Sequence, residues 1–272
     1  MNADPTYKGF ELDAETALAL LQWQVEMGVD EPILDQSIDR FELAAKVRPE
    51  PVAQIPLQVP TPAVSRPADD DMPAKLAEAQ ALANSAQNLD DLAAVQERFD
   101  GVELKKGARN FCFADGNPKA RVLILGEAPG DEEDRQGRPF VGRAGQLLDK
   151  MFEAIDLART AVDAEKAIYI TNVLKWRPPG NRDPHSDEVA LSMPFLRRHI
   201  ELADPEFIVL MGNTPCEAAL GRRGILRLRG TWTEAFGKPA LPMTHPAYLL
   251  RTPMAKREAW ADLLSLAARL DR

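Results

Sequence analysis

Three short stretches of this sequence hold most of the residues that could do chemistry. The first, "GEAPGDEEDRQGRPFVG" at 126–142, carries Glu127, Asp131, Glu132, Glu133, Asp134 and Phe140. A glycine-rich turn after a strand usually cradles phosphate, but five carboxylates repel one. The second, "TNVLKWRPPGNRDP" at 171–184, carries Asn172, Asn181 and a rigid Pro178-Pro179-Gly180 turn. The third, "THPAYLLR" at 244–251, carries His245 and the apolar run Tyr248, Leu249, Leu250. An amide side chain both donates and accepts a hydrogen bond. An aromatic ring offers a stacking face, and a histidine offers a proton or a hydrogen bond to a developing anion. Together these groups describe a pocket for a planar, neutral, hydrogen-bonding ring.

Such groups need elements to position them. Short apolar runs at Arg121–Leu125, Ala167–Thr171, Phe207–Met211 and Ala240–Met243 read as strands buried on both faces. Between and after them lie helical stretches at Ala144–Ile155, Ser186–Leu202, Thr214–Leu220 and Met254–Leu270. This alternation predicts a mostly parallel, four-stranded sheet with helices on both faces, a three-layer α/β/α domain. Ligands in such folds bind outside the carboxyl ends of the strands. The three stretches, read as the loops Gly126–Gly142, Asn172–Asp183 and Thr244–Arg251, fall at those ends.

Upstream of the sheet the text changes. Apolar residues recur at helical spacing between 11 and 46, from Leu12 through Leu20, Leu21 and Trp23 to Leu43, which predicts a helical module over 1–48. Residues 49–73 contain seven prolines and read as an extended linker. The main folded domain is therefore expected over 74–272. It opens with one or two helices broken near Asn88.

The net charge of −9 argues at first against a nucleic-acid partner, but its distribution does not. Residues 1–72 hold 14 acidic and 5 basic side chains, which leaves 28 of each in the remainder. The basic clusters Arg197-Arg198, Arg222-Arg223 and Arg227/Arg229 read as solvated surface. No secretory signal precedes the acidic segment, and no apolar run approaches the roughly 20 residues that span a bilayer. With only two cysteines, Cys112 and Cys216, far apart, the expectation is a cytoplasmic monomer without a disulfide framework or membrane association.

The segments "FCFADGNPKARVLILGEAPG" at 111–130, "EEDRQGRPFVGRAGQLLDKM" at 132–151, "YITNVLKWRPPGNRDP" at 169–184 and "THPAYLLR" at 244–251 resemble the family 4 uracil-DNA glycosylases of bacteria and archaea. The resemblance covers roughly residues 99–271. It implies an α/β/α fold, uracil-containing DNA as partner, and base excision from a flipped deoxyuridine. It also implies roles by position. Glu127 would lie near the sugar, holding water or stabilising positive charge. Glu133 would line the pocket beside uracil C5, and Phe140 would stack on the ring. Asn172 would read the O4/N3 edge, and Asn181 would support the catalytic water or the base. His245 would donate to O2 as negative charge grows. Pro178, Tyr248, Leu249 and Arg251 would meet the DNA backbone or wedge the duplex, with Leu250 beside them.

The sequence departs from that family in one respect. The family holds a [4Fe-4S] cluster on four cysteines. The corresponding positions here are Phe99, Val102, Trp176 and Ser192 or its neighbour Met193. No cluster and no other metal is expected, and Phe99, Val102, Trp176 and Met193 are expected to pack into the volume. Two alternatives to an active glycosylase stand beside it. One is a non-catalytic DNA-binding or repair-associated protein that keeps the fold. The other is a relative that traps DNA covalently, against which stand Glu127-Ala128 in the first motif and the lack of a basic insertion ending in His. The role of the N-terminal module is left open between docking a protein partner and serving as a solubility tail.

Overall fold

The computed structural model describes residues 71–271, together with the strand pieces β1 (Thr6–Tyr7) and β2 (Phe10–Glu11). The chain divides into two units, Met1–Val64 and Ser65–Arg272. In the first, β1 and β2 pair antiparallel. The helical module expected over 11–46 and most of the linker lie outside the described residues.

The second unit opens with α1 (Met72–Ser85) and α2 (Leu89–Arg98). Pro73, assigned to the linker, instead occupies the first turn of α1, where its missing N–H and fixed φ cost nothing. The break between the two helices falls where expected. The Asn88 side chain caps α2 by accepting from the Asp91 N–H.

The sheet is wider than four strands. Its strands are β3 (Ala114–Gly116), β4 (Val122–Gly126), β5 (Ile168–Asn172), β6 (Phe207–Met211), β7 (Thr233–Ala235) and β8 (Lys238–Met243), in the order β3-β5-β4-β6-β8-β7. The four predicted strands form the parallel centre. β3 and β7 pair antiparallel on its edges. Both are only three residues long and half-polar, so their apolar pattern is too weak to register.

Every residue of β4, β5 and β6 is buried. One face, with Val122, Ile124, Ile170 and Val209, is packed by Leu148 and Phe152 of α4 (Arg143–Glu153) and by Leu263 and Leu266 of α9 (Lys256–Leu270). The other face, with Leu123, Leu125 and Leu210, is packed by Leu196 and Ile200 of α5 (Ser186–Ala203) and by Cys216 of α6 (Asn213–Leu220). Strands covered on both faces need continuous apolar runs, which is why these four were legible. A third cluster joins α1 and α2 to Leu191 and Phe195 of α5.

The remaining helices are short: α3 (Asp131–Gln136), α7 (Ile225–Leu228) and α8 (Pro246–Arg251). Two of the three expected loops therefore contain an α-helix, and the second holds a single 3-10 turn at Pro179–Asn181. The first holds α3, and the third is mostly α8, started by Pro246 and capped by His245.

Candidate active site

The chain leaves β4 towards β5 on one side, then crosses to β6 on the other. The carboxyl ends of β4 and β6 thus form a switch point, where an open α/β sheet leaves a crevice. Glu127 follows β4, Asn172 ends β5, Gly212–Thr214 follow β6, and His245 follows β8. A cavity of about 500 Å³ opens there, lined by Glu127, Glu133, Phe140, Pro178, Asn181, Arg182, His245 and Arg251.

Phe140 owes its position to backbone strain and to what relieves it. Its φ of 54° is left-handed, which disfavours a side chain of this size. Arg159 donates to the carbonyls of Pro139 (3.1 Å) and Phe140 (2.8 Å), and is itself held by Asp115 and Asp149. On the other side Glu133 accepts from the N–H groups of Val141 and Gly142, both at 2.9 Å. The Phe140 ring tilts against the imidazole of His245, with centroids 5.3 Å apart.

The carboxylates of the first stretch are structural as well as polar. Four of the five, Asp131 to Asp134, crowd the first turn of α3, where the helix dipole favours them. Asp134 accepts from the N–H groups of Arg109 and Asn110, and Asp131 pairs with Arg135 and Arg177. Only Glu127 and Glu133 of the group line the cavity.

Asn172, expected in the pocket, is buried at 1% exposure and is not among the residues that line the cavity; it meets the lining through Phe140 and the neighbouring Gly126. Its Oδ1 finds no hydrogen-bond partner in the protein. Gly126 is its register partner across the sheet. A Cβ on Gly126 would sit 2.2 Å from Asn172 Oδ1 and 2.4 Å from the Phe140 ring, so the amide and the ring share space that only glycine leaves open. Buried acceptors are normally satisfied, and one left unpaired beside an aromatic face marks a place for a ligand donor.

Lys175, next to Asn172, is fully buried. Its ammonium donates to the Asn172 carbonyl at 2.9 Å and to Thr171 Oγ1. Burial pushes its pKa down to about 7. Glu127 is held similarly: Thr214 Oγ1, at the start of α6, donates to its carboxylate at 2.5 Å. Arg159, Lys175 and Thr214 were missed by the sequence reading. Lys175, a lone cation in the apolar run "NVLKW", was the one that carried a signal.

His245 Nδ1 accepts from the Ala247 N–H at 3.1 Å, which leaves the proton of a neutral ring on Nε2. Burial, with Arg251 adding repulsion against the opposing Glu133, pushes its pKa down to about 4. His245 is therefore a neutral N–H donor at physiological pH.

The structure separates the remaining expected site residues. Pro178 and Arg251 line the cavity. Asn181 stands exposed at its mouth, its Oδ1 accepting from Arg177 Nε at 2.8 Å. Tyr248 lines a second cavity of about 360 Å³ that shares Glu127, His245 and Arg251 with the first. Leu249 is corrected: it is 1% exposed and lines an apolar cleft with Leu147, Met151 and Leu263, so it cannot wedge a duplex. Successive helical residues point about 100° apart, and it is Leu250 that is exposed.

Part of the chain matches the family model described as the uracil DNA glycosylase superfamily, over residues 113–264. Among curated proteins, it is 40% identical over 145 residues to the type-4 uracil-DNA glycosylase of Thermotoga maritima, covering 52% of this chain and 72% of that one. It is 38% identical over 158 residues to the type-4 uracil-DNA glycosylase of Sulfurisphaera tokodaii, covering 54% and 69%. To that of Archaeoglobus fulgidus it is 36% identical over 185 residues, covering 65% and 90%.

The side chains present do not fit the iron–sulfur cluster that the resemblance implies. Phe99, Val102 and Trp176 are buried in one apolar cluster with Leu174 and Phe195. Phe99 packs on Phe195 with centroids 5.4 Å apart, and Trp176 on Phe111 at 5.0 Å. Ser192 is buried, and its hydroxyl donates back to the Glu188 carbonyl. Met193 is corrected, since it packs in the cluster on the sheet face instead. Cys112 and Cys216 are the chain's only two cysteines, and burial pushes both thiols up to about 12. Four thiolates are not available.

Proposed function

The chain belongs to the uracil DNA glycosylase superfamily, and from that premise we propose that it is a uracil-DNA glycosylase of base excision repair, hydrolysing the N-glycosidic bond of a flipped deoxyuridine to free uracil and an abasic site. The observation that carries this reading is the unpaired, buried Oδ1 of Asn172 beside the Phe140 ring. Uracil N3–H donates to that oxygen, and the Asn172 amide N–H donates to O4. Cytosine offers a lone pair at N3 and a donor at C4, which leaves buried groups unsatisfied and rejects it.

Leaving the stack costs the target nucleotide a few kcal/mol. The C1′–N1 bond then breaks with its electrons moving to uracil, so the sugar becomes oxocarbenium-like and O2 gains negative charge. His245 Nε2–H donates to O2 and Glu127 faces the sugar cation. Glu127 also orients the water that adds to C1′ and accepts its proton. Removing a donor aimed at a developing anion costs on the order of 10²–10³ in rate. Glu133 lines the C5 side, and Asn181 supports the catalytic water or the base from the mouth. Pro178, Tyr248 and Arg251 meet the strand around the flipped nucleotide.

No step runs through a metal. The apolar packing of Phe99, Val102 and Trp176 takes over the structural role of a cluster. The catalytic unit acts as a monomer in the cytoplasm, and the role of residues 1–48 stays open between docking a protein partner and serving as a solubility tail. No described helix is long and apolar enough to cross a membrane.

Uracil excision from a labelled oligonucleotide, read on a denaturing gel after cleavage of abasic sites, tests this. An abasic product supports the glycosylase. An intact strand points to a non-catalytic DNA-binding protein, and a covalent adduct to a trapping enzyme.

A further inference from the structure

The second cavity has a lip that none of the roles above uses. Residues 221–230, "GRRGILRLRG", run from the end of α6 through α7 to the edge strand β7. Within it Leu226 is 60% exposed. It lines the cavity together with Tyr248 and Arg251, and that cavity shares Glu127 and His245 with the first. A lone exposed leucine needs no explanation by itself. This one is flanked by Arg222, Arg223 and Arg227, all exposed. Arg222 and Arg227 make no ion pair among the described residues, whereas Arg223 reaches Glu217 at 3.2 Å.

The loop is also fixed from beneath. Leu228 is buried and Ile225 packs partly on the same sheet face. Asn213 Oδ1 accepts from the N–H groups of Gly224 (3.1 Å) and Ile225 (2.9 Å). Arg229 is clamped by both carboxylate oxygens of Asp262, at 2.5 and 3.0 Å. The two flanking apolar side chains are therefore anchored inward, and the one between them points outward among guanidinium groups. An apolar tip ringed by cations suits a bent, partly unstacked duplex, which offers an apolar gap between phosphate rails.

We infer that residues 222–227 form a second DNA-contacting element, in which Leu226 enters the duplex beside the flipped nucleotide while Arg222 and Arg227 take phosphates. The partner is duplex DNA, and the surface is continuous with the cavity through Tyr248 and Arg251. The inference rests on the glycosylase reading and extends it from the pocket to the strand.

Single-turnover excision from a uracil-containing duplex and from the same single strand, compared for wild type and Leu226→Ala, tests it. The duplex rate falls about tenfold or more, because the unstacked gap is left unfilled, while the single-strand rate changes less than about twofold. Leu226→Met restores the duplex rate. In a binding arm, Arg222→Gln with Arg227→Gln lowers the slope of log affinity against log salt by about two. Equal effects of Leu226→Ala on both substrates, or none on either, overturn the wedge. An unchanged salt slope overturns the phosphate contacts. If wild type excises uracil from neither substrate, the glycosylase reading fails on its own account. Duplex affinity of Leu226→Ala and the salt slope then decide the surface, and no change in either overturns it.

Discussion

At the scale of single residues, the proposed reaction assigns recognition to Asn172 and charge stabilisation to His245. Asn172→Asp keeps the acceptor and removes the amide donor, and it places a carboxylate against uracil O4. Uracil excision then falls by at least about 10²-fold, with a faint gain on cytosine, since a buried repulsive pair costs more than a lost hydrogen bond. Near-wild-type excision by this variant would remove the base-reading assignment. His245 makes a prediction about pH. Its pKa of about 4 lies below the 6.5 of a free imidazole. The kcat/KM profile between pH 5 and 8 therefore shows no limb near 6.5 from this residue. Stability behaves differently. The unfolded imidazole takes up a proton near pH 6.5 while the folded one does not, so the His245 contribution is whole above 6.5 and is lost as pH falls towards 4. Denaturant melts of wild type and His245→Asn across that window check the sign, with the variant showing the weaker pH dependence.

At the scale of elements, the site depends on loops held by groups outside it. The strained Phe140 turn is gripped through its carbonyls by Arg159 and through its amides by Glu133, so a residue read as a neighbour of the base is also a structural pin. The helical layer formed by α1, α2 and α5 is closed by Phe99, Val102 and Trp176. Trp176→Ala or Phe99→Ala destabilises the protein by about 3–5 kcal/mol, as large-to-small changes in close-packed cores do. Iron analysis of the purified wild type finds no stoichiometric metal. About four irons per chain, with melting unaffected by either substitution, would show that the apolar packing is not what closes this layer.

For the whole molecule, the sheet, its covering helices and the cavities at the strand ends all lie within the described residues 71–271. A fragment beginning at Asp71 excises uracil at a rate within about twofold of the full chain, because a domain with its own core and site folds alone. A large loss of activity on removing residues 1–70 would place the extension inside the catalytic unit. The acidic excess sits in that extension, so the fragment also binds DNA at least as tightly as the full chain.

The sequence by itself determined the four central strands, because runs buried on two faces must be continuously apolar. It also determined which stretches meet at the strand ends, because a βαβ alternation allows few other arrangements. That Glu127, Phe140, Asn172 and His245 gather at the strand ends was legible because the loops that carry them follow those strands. Tertiary structure alone decided the edge strands β3 and β7, whose three residues carry too little pattern. It decided that Leu249 faces inward and Leu250 outward, a rotation of one residue that the run of leucines does not reveal. The Thr214–Glu127 and Arg159–Phe140 contacts join residues 87 and 19 positions apart. Hydrogen bonds of that kind depend on where the chain crosses itself, and no local spacing encodes them.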